Sequence, residues 1–292
     1  MSNLKVEKLF IKREIGLFLL LATLFSWFVS IIILLKMPAD FKTGNVKAVE
    51  NLVGNWPMIF GFGPFIAAII CTVYFQGKTG IKALFASVVR WKVPFYWYLL
   101  SLVLPIISHW IGLILWSRYT NTVLELPSLT AYLSSWLQIA FISSLFFISE
   151  ELGWRGYLLP RILGKFSWLK ASIIVGIIWG IWHYPLWLTS YWATTGSWSQ
   201  AVLMILGSTI FTIGLSFLLT FIFKNTYGSV LLAMLLHGSN NANMGKMYAL
   251  AGNTALFSSS FLIIQAMALV VFVICFFGLL KFANKRRKIV VR

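Results

Sequence analysis

The chain has 292 residues, of which 60% are hydrophobic and only 11% are charged. Soluble domains contain about 45 to 50% apolar and about 25% charged residues, so this composition excludes an ordinary water-soluble fold. The formal net charge of +17 arises from basic residues in short loops between apolar runs. That placement indicates membrane topology and contact with anionic lipid head groups, and it argues against nucleic acid as a partner.

A helix that spans a membrane needs about 20 largely apolar residues. Eight segments meet this criterion, at about 15–36, 57–75, 95–116, 133–159, 170–188, 201–223, 228–245 and 257–281. Lys36 follows the first segment without a small-residue cleavage pattern, so we expect a retained helix. We predict an all-α polytopic membrane helix bundle of about eight transmembrane helices, in which residues 1–292 form a single membrane domain.

The distribution of basic residues predicts the orientation of this bundle. Of the 24 lysines and arginines, 19 fall on one side of the eight-helix arrangement and five on the other. This excess favours cytoplasmic N and C termini, which requires an even number of spans. The segment Lys78–Lys92 is too short and too charged to span, and we predict a helix in the cytoplasmic interface. We expect a multi-pass protein of the cell membrane.

Two adjacent acidic residues, Glu150 and Glu151, lie within a predicted span. The other five acidic residues map to termini or loops: Glu7, Glu14, Asp40, Glu50 and Glu125. Ionisable groups inside a span are costly unless they are paired or hydrated, and they are functional candidates for that reason. Glu151 and Arg155 are four residues apart on one helical face, which predicts an ion pair. Glu150 points about 100° away from Glu151 and has no local partner, which favours a functional role.

Three histidines lie in predicted spans. His109 is interpreted as a packing residue. His183 follows Trp179 by one turn, and His237 precedes Asn241 by one turn, so that His237 and Asn241 share a helical face. The alternative interpretation of His183, His237 and Asn241 is a structural role, in which they form hydrogen bonds between helices.

Glu150, His183 and His237 are predicted to lie at similar distances from the cytoplasmic surface of the membrane. Glu150 lies 11 residues before Arg161, His183 lies 13 after Lys170, and His237 lies 13 after Lys224, where the three basic residues serve as cytoplasmic anchors. At about 1.5 Å per residue this is about 17 to 20 Å, near the middle of a hydrocarbon core that is about 30 Å thick. We therefore predict that the three side chains, from three helices, meet at one depth.

A carboxylate, two imidazoles and a carboxamide at one level suit hydrolysis of an amide or ester. The carboxylate of Glu150 can take a proton from water, a histidine can orient that water or bind a metal, and Asn241 can donate to an oxyanion. Two histidines and one glutamate also form a known catalytic zinc set, so Glu150, His183 and His237 are the predicted ligands if Zn²⁺ is used. The helical HExxH signature of many zinc proteases is absent from the sequence.

The cysteines add no further metal or disulfide site. Cys71 and Cys275 lie in apolar segments and lack paired spacing, so neither a disulfide nor a thiolate site is predicted.

At these residues the chain resembles the CPBP family of intramembrane proteases, which includes CAAX proteases and bacteriocin-processing enzymes and is also called the Abi family. The family motifs are EExxxR, then F or W followed by xxxH, then HxxxN. They are matched, in order, by Glu150, Glu151 and Arg155; by Trp179 and His183; and by His237 and Asn241. The resemblance covers about 130–245, which we interpret as the catalytic core.

The resemblance implies a role for each matched residue. Glu150 is implied as the water-activating residue, with His183, His237 and Asn241 as partners that bind water, metal or the oxyanion. Glu151 and Arg155 are implied as supporting residues. The family has been described both as metal-dependent and as glutamate proteases, so the resemblance leaves the cofactor open.

The family also suggests substrates and alternatives. Eukaryotic members remove the last three residues from prenylated CAAX proteins, and others are associated with bacteriocin immunity or peptide processing. We therefore expect membrane lipids and a membrane-associated peptide as partners of an intramembrane endopeptidase. A non-catalytic immunity protein on the same fold and a proton-coupled transporter that titrates Glu150 are the alternatives. The sequence names neither the substrate nor the oligomeric state.

Overall fold

The computed structural model describes residues 2–36, 56–124, 126–251 and 258–290. The regular structure in these ranges is helical, without strands, and this confirms the predicted all-α fold. In chain order the elements are α1 (Ser2–Leu35), α2 (Trp56–Val88), α3 (Phe95–Thr120), α4 (Leu129–Phe146), α5 (Ile148–Glu151), a π-helical segment (Leu152–Leu158), α6 (Leu159–Leu163), α7 (Trp168–Thr195), α8 (Trp198–Asn225), α9 (Val230–Ala251) and α10 (Ser259–Val290).

Within the described ranges, seven helical stretches are long and apolar enough to cross a membrane. The predicted span at 228–245 differs from the other seven. It forms α9, which has 22 residues. Because α9 contains the polar sequence HGSNNAN, it is not among the seven stretches that are apolar enough to cross a membrane. Its polar side chains are largely buried against α3 and α4, as Asn240 and Asn243 show. Helix α9 is therefore surrounded by protein rather than by lipid. The even number of spans and the cytoplasmic position of both termini stay predictions.

Helix α2 is longer than the predicted span at 57–75. It continues to Val88 and breaks at Gly77, where φ is 61°. The residues after Gly77 form the helix that the sequence predicts from Lys78, and they contact the protein through the buried side chain of Leu84, which packs beside Gly156. An interfacial position for this part of α2 stays a prediction.

Glu14 corrects the assignment of five acidic residues to termini and loops. It lies in α1 with only 8% of its surface exposed, and its carboxylate accepts a hydrogen bond from Nε of Arg161. A buried carboxylate needs such a partner to offset the loss of hydration. The pair joins α1 to α6. The positions of Asp40, Glu50 and Glu125 fall outside the described residues.

The predicted span at 133–159 is one continuous stretch that changes geometry near the two glutamates. α4 ends before Phe147, α5 carries Glu150 and Glu151, and the chain then widens into the π-helical segment. Pro160 follows in α6. Proline has no N–H to donate to the carbonyl four residues earlier and crowds that carbonyl, which favours a wider turn before it. Single π turns inside α-helices are frequent at functional sites.

A close helix contact positions the part of α9 that carries His237. A Cβ added at Gly238 would lie 2.2 Å from Oγ of Ser144 and 2.6 Å from the carbonyl oxygen of Ala140, both in α4. Small residues at such contacts let membrane helices approach closely. The register between α4 and α9 therefore depends on the absence of a side chain at this position.

Gly238→Ala is expected to destabilise the protein by about 1 to 3 kcal/mol, because the new methyl group overpacks the contact between α4 and α9. Gly245→Ala is the matched control on the same helix, since a Cβ there meets nothing within 4 Å. Thermal unfolding of the detergent-purified variants measures the difference. Equal melting temperatures for the two variants would contradict the close contact.

Candidate active site

One cavity of about 220 Å³ is lined by Glu150, His183, His237 and Asn241. Glu150 comes from α5, His183 from α7, and the other two from α9. The structure thus brings together the four residues for which the sequence predicts a shared depth or helical face. Apolar side chains, including Phe211 and Met244, form much of the remaining wall.

The carboxylate of Glu150 is oriented by one hydrogen bond. Nε1 of Trp179 donates to Oε2 at 2.8 Å, and 8% of the residue's surface remains exposed. Oε1 receives no hydrogen bond from the described residues. One oxygen is therefore held by the protein, and the other is available to a molecule in the cavity.

Glu151 is fully buried and holds two basic groups with a single oxygen. Oε1 accepts from Nη1 of Arg155 at 2.9 Å, which confirms the predicted ion pair, and it lies 2.8 Å from Nδ1 of His237. The second contact links α5 to α9 and was not predicted. Because a carboxylate oxygen accepts, Nδ1 of His237 carries the proton in this contact. The ring also stacks on Phe147, with 3.7 Å between ring centroids.

The ring of His183 is fixed by its own helix. Nδ1 lies 2.9 Å from the carbonyl oxygen of Trp179 and donates to it, since a carbonyl can only accept. The ring also stacks almost parallel to Trp187, with 4.5 Å between centroids and 4° between planes. In the neutral form, Nε2 of His183 then carries a lone pair.

Trp179 contributes more than the spacing of its motif suggests. Besides its bond to Glu150, its ring lies under the guanidinium of Arg155, at 4.4 Å from centroid to Cζ, and is nearly perpendicular to the ring of His237, with 80° between their planes. A phenylalanine would keep the aromatic contacts but has no N–H to donate to Glu150. The sequence signal for this role is the tryptophan itself, at a position where the motif accepts either residue.

Asn241 is exposed at the cavity and has one bonded neighbour among the described residues. Its Oδ1 accepts from Nδ2 of Asn240 at 2.9 Å. Asn240 in turn contacts His109, which is fully buried as expected for a packing residue.

The donors predicted for zinc match it in chemical type but not in spacing. His183 and His237 each bond a protein oxygen through Nδ1 and leave Nε2, which is how metal-binding histidines are commonly oriented. In the described ranges, however, no three His, Cys, Asp or Glu side chains lie close enough together to hold one metal ion.

A second cavity of about 450 Å³ reaches the same residues from another direction. It shares Glu150, His183 and Asn241 with the first cavity. Its remaining lining is mostly apolar and includes Met58, Phe60, Phe62, Phe146 and Leu186. Met58, Phe62 and Phe146 are partly exposed on the outside of the bundle. An apolar route therefore leads from the surface to the carboxylate.

The middle of the chain matches a known protein family. Residues 132–243 match the family described as type II CAAX prenyl endopeptidase Rce1-like. Over these residues the chain is similar to that family, in agreement with the resemblance that its motifs show. The matched range contains all the motif residues from Glu150 to Asn241, so the four candidate site residues of the cavity lie inside it.

Individual relatives agree with this assignment. CAAX prenyl protease 2 of Methanococcus maripaludis is 25% identical over 49% of this chain and 52% of its own length. Lysostaphin resistance protein A is 31% identical in Staphylococcus haemolyticus, over 55% of this chain and 42% of that protein. The Staphylococcus aureus protein of the same name is 28% identical over 54% and 36%. The matched part of this chain thus spans about half of the length of these relatives or less.

Comparing Glu151→Gln with Glu150→Gln tests whether Glu151 stabilises the fold while Glu150 does not. Glu151→Gln is expected to cost about 3 to 5 kcal/mol of stability, because it leaves the buried guanidinium of Arg155 without its counter-charge. Glu150→Gln keeps an acceptor for Trp179 and is expected to change stability by less than about 1 kcal/mol. Thermal unfolding compares the two variants. A loss from Glu150→Gln as large as that from Glu151→Gln would contradict the division of roles.

Proposed function

We propose that this chain is an intramembrane endopeptidase in which Glu150 activates water to hydrolyse a peptide bond of a membrane-associated substrate. The observation that carries the proposal is the cavity shared by Glu150, His183, His237 and Asn241. The match to an endopeptidase family over 132–243 supports the reaction class.

The first step is attack by water. Water lies between Oε1 of Glu150, which takes one of its protons, and Nε2 of His183, which accepts the other in a hydrogen bond. The oxygen of this water forms a bond to the carbonyl carbon of the scissile peptide. The π electrons of the carbonyl move to its oxygen, which becomes an oxyanion.

The oxyanion requires hydrogen-bond donors that are already in place. The amide group of Asn241 supplies one, because its Oδ1 is occupied by Asn240 and its NH₂ group remains. Nδ1 of His237 donates to the carboxylate of Glu151, and this bond fixes the orientation of the imidazole ring beside the oxyanion. The intermediate then collapses, the C–N bond breaks, and Glu150 returns its proton to the leaving amine.

The second cavity supports a substrate that carries an apolar group. Its wall of Met58, Phe60, Phe62 and Leu186 suits a hydrocarbon chain, and it meets the first cavity at the carboxylate of Glu150. The Methanococcus relative is named a CAAX prenyl protease. We therefore propose prenylated peptides of the CAAX type as the substrate class, with access from the membrane.

Glu150→Gln is expected to reduce kcat at least about 10³-fold, because the amide cannot take a proton from water. Cleavage of a quenched fluorescent peptide by purified protein measures the loss. Glu14→Gln is the control, since it alters a second buried glutamate that lies away from the cavity, and it should retain wild-type kcat. Substantial cleavage by a correctly inserted Glu150→Gln variant would contradict the catalytic role of Glu150.

The substrate and metal proposals share one measurement, in which prenylated and unmodified forms of the same peptide are cleaved with and without a chelator. We expect kcat/KM to be at least about tenfold higher for the prenylated form, because burying the added methylene groups contributes to binding. We expect the chelator to leave the rate unchanged. Equal cleavage of both peptides would refute the prenyl preference, and loss of activity that zinc restores would refute the metal-free scheme.

A further inference from the structure

A polar network lies behind Asn241, and neither the motifs nor the cavity residues already assigned explain it. His109 in α3 is 0% exposed, and its Nε2 lies 3.1 Å from Oδ1 of Asn240. Its Nδ1 lies 3.3 Å from Oε1 of Gln265 in α10. Nε2 of Gln265 also donates to the backbone carbonyl of His109 at 3.3 Å. Three helices therefore meet at one buried imidazole.

The direction of these bonds can be followed from His109 to the cavity. Oδ1 of Asn240 can only accept, so Nε2 of His109 must donate to it. Both ring nitrogens face amide oxygens, and a neutral ring keeps its proton on Nε2, where the contact is shorter. Nδ2 of Asn240 then donates to Oδ1 of Asn241. Each link fixes the direction of the next.

This direction determines which end of the Asn241 amide remains for the cavity. Rotating the amide by 180° would place its NH₂ group against the NH₂ group of Asn240 and lose the bond between them. Asn241 itself is exposed, and the described residues offer its side chain no other hydrogen bond. The orientation of this amide therefore depends on Asn240, and that of Asn240 depends on His109.

We propose that His109 and Asn240 are positioning residues that hold the Asn241 amide with its NH₂ group directed at the oxyanion. The proposal rests on the endopeptidase function above. Gln265 supports it through the hydrogen bond from its Nε2 to the backbone carbonyl of His109, which links α10 to the turn of α3 that carries the ring. A role in packing alone would also explain the burial of His109, so the test must separate stability from catalysis.

A kinetic cycle provides that separation. Asn241→Ala removes the donor and is expected to lower kcat about 10²-fold. His109→Phe and Asn240→Leu keep the amide donor of Asn241 but remove the hydrogen bonds that orient it. Each is expected to lower kcat about tenfold with little change in KM. Combined with Asn241→Ala, neither should lower kcat further, because both act through the same amide. Losses that multiply in the combined variants would overturn the proposal.

Two further variants control for folding. His109→Gln can retain an N–H donor near the position of Nε2 and should restore most of the kcat lost in His109→Phe. Asn243→Leu removes another buried amide of α9, one that bonds Tyr132 and the backbone of Ser239 at 2.7 Å in each case. It should lower the melting temperature and leave kcat unchanged. A drop in kcat equal to that of Asn240→Leu would indicate a structural role for both.

Nitrogen NMR of ¹⁵N-histidine-labelled protein tests the network without any cleavage. The expected result is a protonated Nε2 on His109 that changes its shift in Asn240→Leu. An unprotonated Nε2 in the wild type would overturn the positioning proposal even if peptides are cleaved. If the wild type cleaves no peptide while Nε2 is protonated as expected, the endopeptidase proposal fails and the described network stands without its catalytic role.

Discussion

A single carboxylate oxygen determines the arrangement of the site. Oε1 of Glu151 accepts from Arg155 and from His237 while the residue is completely buried. Burying that charge is tolerable only because both partners lie within hydrogen-bond distance. Glu151 therefore holds α9 against the segment that carries Glu150. Since α9 also carries Asn241, the same contact sets the distance between the carboxylate of Glu150 and the amide of Asn241.

In each of the four candidate site residues, the protein forms a hydrogen bond to one polar atom of the side chain and leaves another for the cavity. Trp179 holds Oε2 of Glu150 and, through its carbonyl, Nδ1 of His183. Glu151 holds Nδ1 of His237, and Asn240 holds Oδ1 of Asn241. Groups that are oriented before substrate arrives need little reorganisation when charge develops during the reaction. All four residues line one cavity within the bundle.

Local helix geometry explains what the sequence could predict. The ion pair between Glu151 and Arg155 and the shared face of His237 and Asn241 depend only on spacing within one helix. Contacts between helices depend on how each is rotated and packed, which spacing does not determine. For that reason the bonds from Glu151 to His237 and from Trp179 to Glu150 were not predicted.

The most direct test of the central claim, that Glu150 acts as a base toward water, is a single turnover in H₂¹⁸O. The expected result is one ¹⁸O atom in the new carboxyl group of the peptide and none in the side chain of Glu150, as mass spectrometry of both would show. If Glu150 instead attacked the peptide directly, water would resolve an anhydride and could leave ¹⁸O in Glu150. Label in that side chain would contradict the account.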